Sequence, residues 1–196
     1  NLAWLLTSWQ IEIRRLPVYD EKLIIQTWPY EFKSAFGYRN YRMRTESGEV
    51  LAEGQAIWLH TDIVQMKPVK TPEEESSRYG YEDALDMEYL PRKITLPQTM
   101  TPVDQVKVTR HYADMYMHMN NAMYVDIASD YLPETKDVKR LRVDYRKQVK
   151  IGDTMIVKQA YEGNHCYVAF YDEADEMHVS TEFLLTEEER KNDRSR

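Results

Sequence analysis

The sequence predicts an α+β protein of two tandem antiparallel sheets, the second wrapped on one long helix. Three observations carry this. Apolar and polar residues alternate over many short segments separated by turn residues, as half-buried antiparallel strands require. One stretch of the chain matches another stretch of itself, which points to duplication. Only one segment keeps helical spacing over several turns.

The duplication aligns IEIRRLPVYDEKLIIQ (Ile11 to Gln26) with VDYRKQVKIGDTMIVK (Val143 to Lys158) without a gap. Both read apolar, acid, apolar, two basic residues, a turn, then three apolar residues. After a shift, Glu49-Val50-Leu51-Ala52 falls on Glu176-Met177-His178-Val179, and Ala56-Ile57-Trp58 on Phe183-Leu184-Leu185. Strands are predicted over Leu2 to Arg15, Lys22 to Trp28, Tyr38 to Thr45 and Val50 to His60. The second copy gives Asp104 to His111, Lys139 to Lys147, Met155 to Tyr161, Cys166 to Tyr171 and His178 to Leu185. Turn residues at 46–49, 151–153 and 162–164 separate them. The expected organisation is a first unit over 1–66, a linker over 67–100, a second unit over 101–187 and a charged tail over 188–196. The linker carries Pro68, Pro72, Pro91 and Pro97, with a short helix expected around Tyr81 to Tyr89.

The long helix is predicted from Asn120 to Leu132, where Met123, Tyr124, Ile127, Ala128 and Tyr131 fall on one face. Asn120 or Asn121 suits the N-cap and Pro133 ends it. By the alignment offset, the first copy's equivalent would fall before residue 1, so that copy is expected without its helix. A strand, one long helix and four further strands wrapped round it make the arrangement known as a hotdog. The fold class is therefore a tandem hotdog.

A net charge of −7 argues against broad nucleic-acid binding. Lys136, Lys139, Arg140, Arg142, Arg146, Lys147 and Lys150 nevertheless crowd a segment whose acids are Asp137 and Asp144. This is either a solvated strand face or a surface for an anionic partner, with Arg140, Arg142 and Arg146 sharing one strand parity. Cys166 is the single cysteine, which fits a reducing compartment. No apolar run approaches the ~20 residues that span a bilayer. No membrane partner, metal or cofactor is expected, and a homodimer is left open. The sequence opens on Asn1 instead of Met. A bacterial cytoplasmic location is the expectation, with a plastid as the alternative.

The stretch VTRHYADMYMHMNNAMYVDIASDYLP (Val108 to Pro133) resembles the signature of the plant and bacterial acyl-ACP thioesterases, Asp-x-Asn-x-His-x-Asn-Asn-x-x-Tyr leading into the hotdog helix. LAWLLTSWQIEIRRLPVYDEKLIIQTWP and FGYRNYRMRTESGEVLAEGQAIWLHTD are similar to that family's N-terminal half. The resemblance implies hydrolysis of fatty acyl-ACP to fatty acid and acyl carrier protein. It puts Asp114 and His118 at the catalytic acid and histidine positions. Thioester hydrolysis needs an activated water and a stabilised oxyanion. Histidine can pass the proton, a carboxylate can orient its ring, and free N–H groups near Asn120 and Asn121 can face the thioester carbonyl. Two positions depart from the pattern. The family's asparagine is Tyr116, and its strand glutamate is Gln148, which can position water but cannot take its proton. Val149 stands where some members have cysteine. Trp9, Met115 and Met119 are candidates for the acyl pocket, although core packing accounts for them equally well. Acyl carrier protein is acidic, which makes the Arg140, Arg142 and Arg146 stripe its candidate dock. An acyl-CoA hydrolase or a non-catalytic acyl-binding protein are the alternatives.

Overall fold

Alternation along the chain produces antiparallel strands in both halves of a computed structural model that describes residues 1–187. The predicted tail over 188–196 lies outside the described residues. The chain divides into Asn1–Arg92 and Lys93–Arg196.

In the first unit, β1 (Leu2–Ile13), β2 (Leu23–Lys33), β3 (Phe36–Thr45) and β4 (Val50–Asp62) pair in the order β2-β3-β4-β1. The two-residue β5 (Lys67–Pro68) pairs antiparallel with the end of β4. Gly54 is required where β4 passes β1, because a Cβ there would lie 2.3 Å from the Gln10 carbonyl oxygen. Register aligns Gln10, Gln55, Asn40 and Trp28 as one cross-strand row. Gln10, Gln55 and Asn40 are buried, so their amides require partners.

Gln10 and Asn40 find partners in the segment expected to be a linker. Leu85 N–H donates to Asn40 Oδ1 and Leu90 N–H to Gln10 Oε1, both at 3.0 Å. Gln10 Nε2 donates to the Glu88 carbonyl at 2.7 Å, and Trp28 Nε1 to the Asp83 carbonyl at 2.9 Å. Tyr30 OH donates to Gln55 Oε1 at 2.7 Å. Residues 83–90 are thus a strap on the first sheet. The helix expected around Tyr81 to Tyr89 is absent because side-chain amides hold the main-chain groups it would use. A shorter helix, α1 (Glu73–Ser77), forms earlier, after Pro72. It is the only α-helix among the described residues of this unit.

In the second unit, β6 (Thr101–Lys107), β7 (Val138–Tyr145), β8 (Thr154–Glu162), β9 (His165–Tyr171) and β10 (Met177–Leu185) pair in the order β7-β10-β9-β8-β6. The helix α2 (Asn121–Ser129) packs on one face. Tyr124 meets Phe170 and Tyr145 edge-on, with centroids 5.3 and 6.1 Å apart. Leu141, Val143, Phe183, Val168 and Val157 complete that core. The helix is shorter than predicted because Asp130, Tyr131 and Leu132 donate to the carbonyls three residues back. That tighter pattern closes the last turn.

The duplication extends to individual hydrogen bonds. Leu51 O accepts from Arg14 N at 2.8 Å and Arg15 N at 3.4 Å; His178 O accepts from Arg146 N at 2.9 Å and Lys147 N at 3.2 Å. Glu21 accepts from Val18 N–H at 3.1 Å, and Asp153 from Lys150 N–H at 2.9 Å. Asp20 and Gly152 both take positive φ, 65° and 97°. Arg15 pairs with Glu49 as Lys147 pairs with Glu176. Arg15 also clamps Glu21, and that hydrogen bond, followed by the Val18 N–H, pushes the Glu21 carboxyl from 4.5 to about 2.

A depressed carboxyl contributes stability above its unfolded-state value and loses it as pH falls through the folded value. Glu21→Gln should therefore lower the melting temperature at pH 7, and its gap to the parent should narrow below pH ~4.5. Thermal melts across pH check this; a gap that stays constant would reject the clamp.

Candidate active site

Asp114 organises the motif through its main chain. Its Oδ1 accepts from Tyr116 N–H at 2.8 Å and from His118 N–H at 3.2 Å. Asp114 N–H donates to the His118 carbonyl at 2.8 Å, and Met117 N–H to the Asp114 carbonyl at 3.1 Å. The chain reverses here with Met117 at φ 66° and with Ala113 bridged to Met119. The Asp114 carboxylate, expected to orient the imidazole, holds the His118 amide.

This loop is docked on the segment after β7. Met119 N–H donates to the Val149 carbonyl at 2.8 Å, and His118 forms an antiparallel bridge with Lys150. Asn120 N–H donates to the Tyr112 carbonyl at 2.8 Å, tying in the 3-10 turn at Arg110–Tyr112. Asn120 Oδ1 then caps α2 by accepting from Ala122 N–H at 2.9 Å. Both polar groups of Asn120 named for the substrate are thus engaged. The Asn121 N–H has no acceptor among the described residues, so it is the free donor at the start of the helix. Tyr145 OH donates to the Asn121 carbonyl at 2.9 Å and steadies that residue. Burial pushes the Tyr145 phenol up, so it remains a donor.

The other predicted residues distribute unevenly. Tyr116 lies at the loop tip, 71% exposed, beside Met115 at 86%. Met119 is buried in the core. Gln148 is exposed and lies beyond the end of β7, which corrects its placement on a strand. The chain leaves the strand there because Arg146 and Lys147 share one carbonyl. Gln148 lies two residues before Lys150, which bridges His118. Trp9 belongs to the first unit, where its ring lies 4.6 Å from that of Tyr41.

The arginine stripe also requires correction. Arg142 is ion-paired with Glu182, their side chains 11% and 7% exposed. Arg146 Nε binds the fully buried Asp144 at 2.9 Å and lies outside β7. Arg140 is half-buried opposite Leu184. Arg140 and Arg142 alternate with Leu141 and Val143, the residues packed toward α2, and so face away from the helix.

Asp172, Glu176 and His178 bring potential ligand atoms within 4.8 Å of one another. Lys147 already occupies Glu176, and Thr45, Glu49 and Leu51 build the same turn in the other copy. The trio therefore reads as a turn clamp.

Sequence reasoning gave Tyr145 no role and counted Lys150 only within the basic segment, whereas it did name the N–H groups near Asn121. The signal was present in the duplication, where Ile13 and Val18 stand opposite Tyr145 and Lys150.

A curved antiparallel sheet wrapped on one capped helix, with a histidine loop at the helix start, defines a hotdog-fold protein. Solved structures share this fold: an acyl-ACP thioesterase from Bacteroides thetaiotaomicron has a TM-score of 0.83 at 21% identity, covering 95% of this chain and 77% of that one. The 12:0-ACP thioesterase from Umbellularia californica has a TM-score of 0.82 at 15% identity, covering 94% and 75%. Residues 1–79 match the acyl-ACP thioesterase N-terminal domain and residues 97–194 its C-terminal domain. The chain belongs to the acyl-ACP thioesterase family. The chloroplastic palmitoyl-acyl carrier protein thioesterase of Gossypium hirsutum is 23% identical over 163 residues. That match covers 76% of this chain but 38% of the relative's length.

Arg142→Ala should cost about 3–5 kcal/mol of stability, since Glu182 would be left buried without its guanidinium. Exposed Lys139→Ala should change it by less than about 0.5 kcal/mol. Urea unfolding compares the two; equal, small effects would mean that Arg142 is dispensable to the fold.

Proposed function

We propose that the protein hydrolyses a fatty acyl thioester carried on acyl carrier protein, releasing a free fatty acid. The observation that carries this reading is the placement of His118 on a docked loop beside the free Asn121 N–H at the start of α2. Family membership supports the same chemistry.

In this reading the His118 imidazole takes a proton from water, and the resulting hydroxide attacks the thioester carbonyl carbon. The carbonyl oxygen becomes an oxyanion that accepts from Asn121 N–H, with the positive end of the helix behind it. The tetrahedral intermediate collapses, the C–S bond breaks, and the imidazolium returns its proton to the departing thiolate. Gln148 orients the water through its amide but takes no proton, so His118 performs both transfers. Asp114 keeps the histidine in place. Exposed Tyr116 contributes at the entrance, while Met115, Met119 and Trp9 remain candidates for acyl contact. A cytoplasmic setting belongs to the same proposal and rests on the lone, buried Cys166.

Acyl-CoA hydrolysis is the rival substrate choice. Non-catalytic acyl binding is the second reading, favoured specifically by Gln148 where the family's glutamate is expected. Thiol release from acyl-ACP and acyl-CoA tests all three. His118→Ala should lower kcat by roughly 10²–10⁴, the usual contribution of an acid–base group. Gln148→Glu should raise it by supplying a second proton acceptor. Acyl binding without thiol release by the parent protein would establish the non-catalytic reading instead.

A further inference from the structure

The two copies of the loop separate what its fold requires from what has been added to it. They share a bifurcated carbonyl at Leu51 and His178, an acidic cap at Glu21 and Asp153, and a positive φ at Asp20 and Gly152. They differ at Leu16 against Gln148 and at Val18 against Lys150. Leu16 and Val18 are 65% and 67% exposed, so neither is needed to pack the loop. Folding therefore does not explain why the second copy carries a cation at this position.

Lys150 stands opposite His118 in an antiparallel bridge, which sends the two side chains to the same side. It is exposed, and its ammonium has no ion-pair partner among the described residues. The nearby carboxylates are engaged elsewhere: Asp153 Oδ2 accepts from the Lys150 main chain, and Asp114 Oδ1 from Tyr116 and His118. A second exposed cation without an ion pair, Arg110, follows Val108, whose main chain is paired with Gly152 and Asp153. Lys150 and Arg110 thus offer two exposed ammonium and guanidinium groups near the motif, while the Asp114 and Asp153 carboxylates are turned to main-chain donors. Arg142, ion-paired with Glu182, is not available in this way.

We propose that Lys150 is an anion anchor for the phosphate that ends the pantetheine arm of the substrate. This rests on the thioesterase reading above, whose carrier-bound and CoA-bound substrates both present that phosphate. Lysine suits the role because its ammonium is a flexible point charge that meets phosphate without a fixed fork. The anchor sets substrate binding and takes no part in proton transfer.

Binding of 4′-phosphopantetheine and of pantetheine to the full chain, measured by titration calorimetry, tests the proposal without relying on hydrolysis. The parent protein should prefer the phosphorylated compound by roughly five- to tenfold at low salt, and added salt should erode the preference. Lys150→Gln should abolish it, and Lys150→Arg should retain most of it. Equal binding of the two compounds by the parent, or an unchanged preference in Lys150→Gln, would overturn the proposal. Thiol release is read separately. Absence of hydrolysis with an intact phosphate preference would defeat the thioesterase reading and leave the anchor standing.

Discussion

One carboxylate oxygen holds the candidate site together. Asp114 Oδ1 accepts from two amides of the loop it begins, and those bonds reverse the chain tightly enough for Met119 to reach Val149. Charge-assisted hydrogen bonds contribute roughly 1.5–3 kcal/mol each. A non-glycine residue at positive φ costs roughly 1–3 kcal/mol. Two such bonds therefore offset the strain at Met117 with stability to spare. Without them the loop has little reason to close, because its tip residues Met115, Tyr116 and Met117 are all exposed and gain nothing by packing. His118 is presented, Asn120 is placed to cap α2, and Asn121 N–H is left free, all as consequences of that turn.

Duplication explains why the rest of the site is so well supported. The loop after β1 and the loop after β7 are built from the same main-chain bonds, so the scaffold forms with either set of exposed side chains. Changes at a few positions then suffice. Tyr145 in place of Ile13 supplies a buried hydroxyl for the Asn121 carbonyl, and Gln148 and Lys150 replace exposed apolar residues. The same comparison shows that the turn made by Asp172, Glu176 and His178 is also made by Thr45, Glu49 and Leu51.

The strands and the helix were legible because they repeat with a period that local sequence displays. Asn120 was readable as a cap for the same reason. The strap over residues 83–90 was not, because its main-chain partners are the side chains of Gln10 and Asn40, far away in the chain and marked by no pattern of their own. Parity correctly put Arg140 and Arg142 on one face, but it cannot say which face is covered, and Glu182 lies opposite Arg142. Gln148 was placed on a strand because it falls at the position of the resembled family's strand glutamate, one residue past the predicted strand. The shared His178 carbonyl ends the strand before it, and no residue in the segment announces that bulge. The role of Asp114 was misread for a related reason: a motif names a residue, while only the geometry shows whether its oxygen meets a ring or an amide.

The account stands on Asp114 acting as a main-chain clamp, and Asp114→Asn compared with Asp114→Ala in thiol-release kinetics tests it most directly. Asparagine keeps the Oδ1 acceptor for Tyr116 and His118 while removing the charge; alanine removes both. Asp114→Asn should retain most of the parent kcat, and Asp114→Ala should lose it. Equal, severe losses in both variants would contradict the clamp and show that the negative charge itself is what His118 requires.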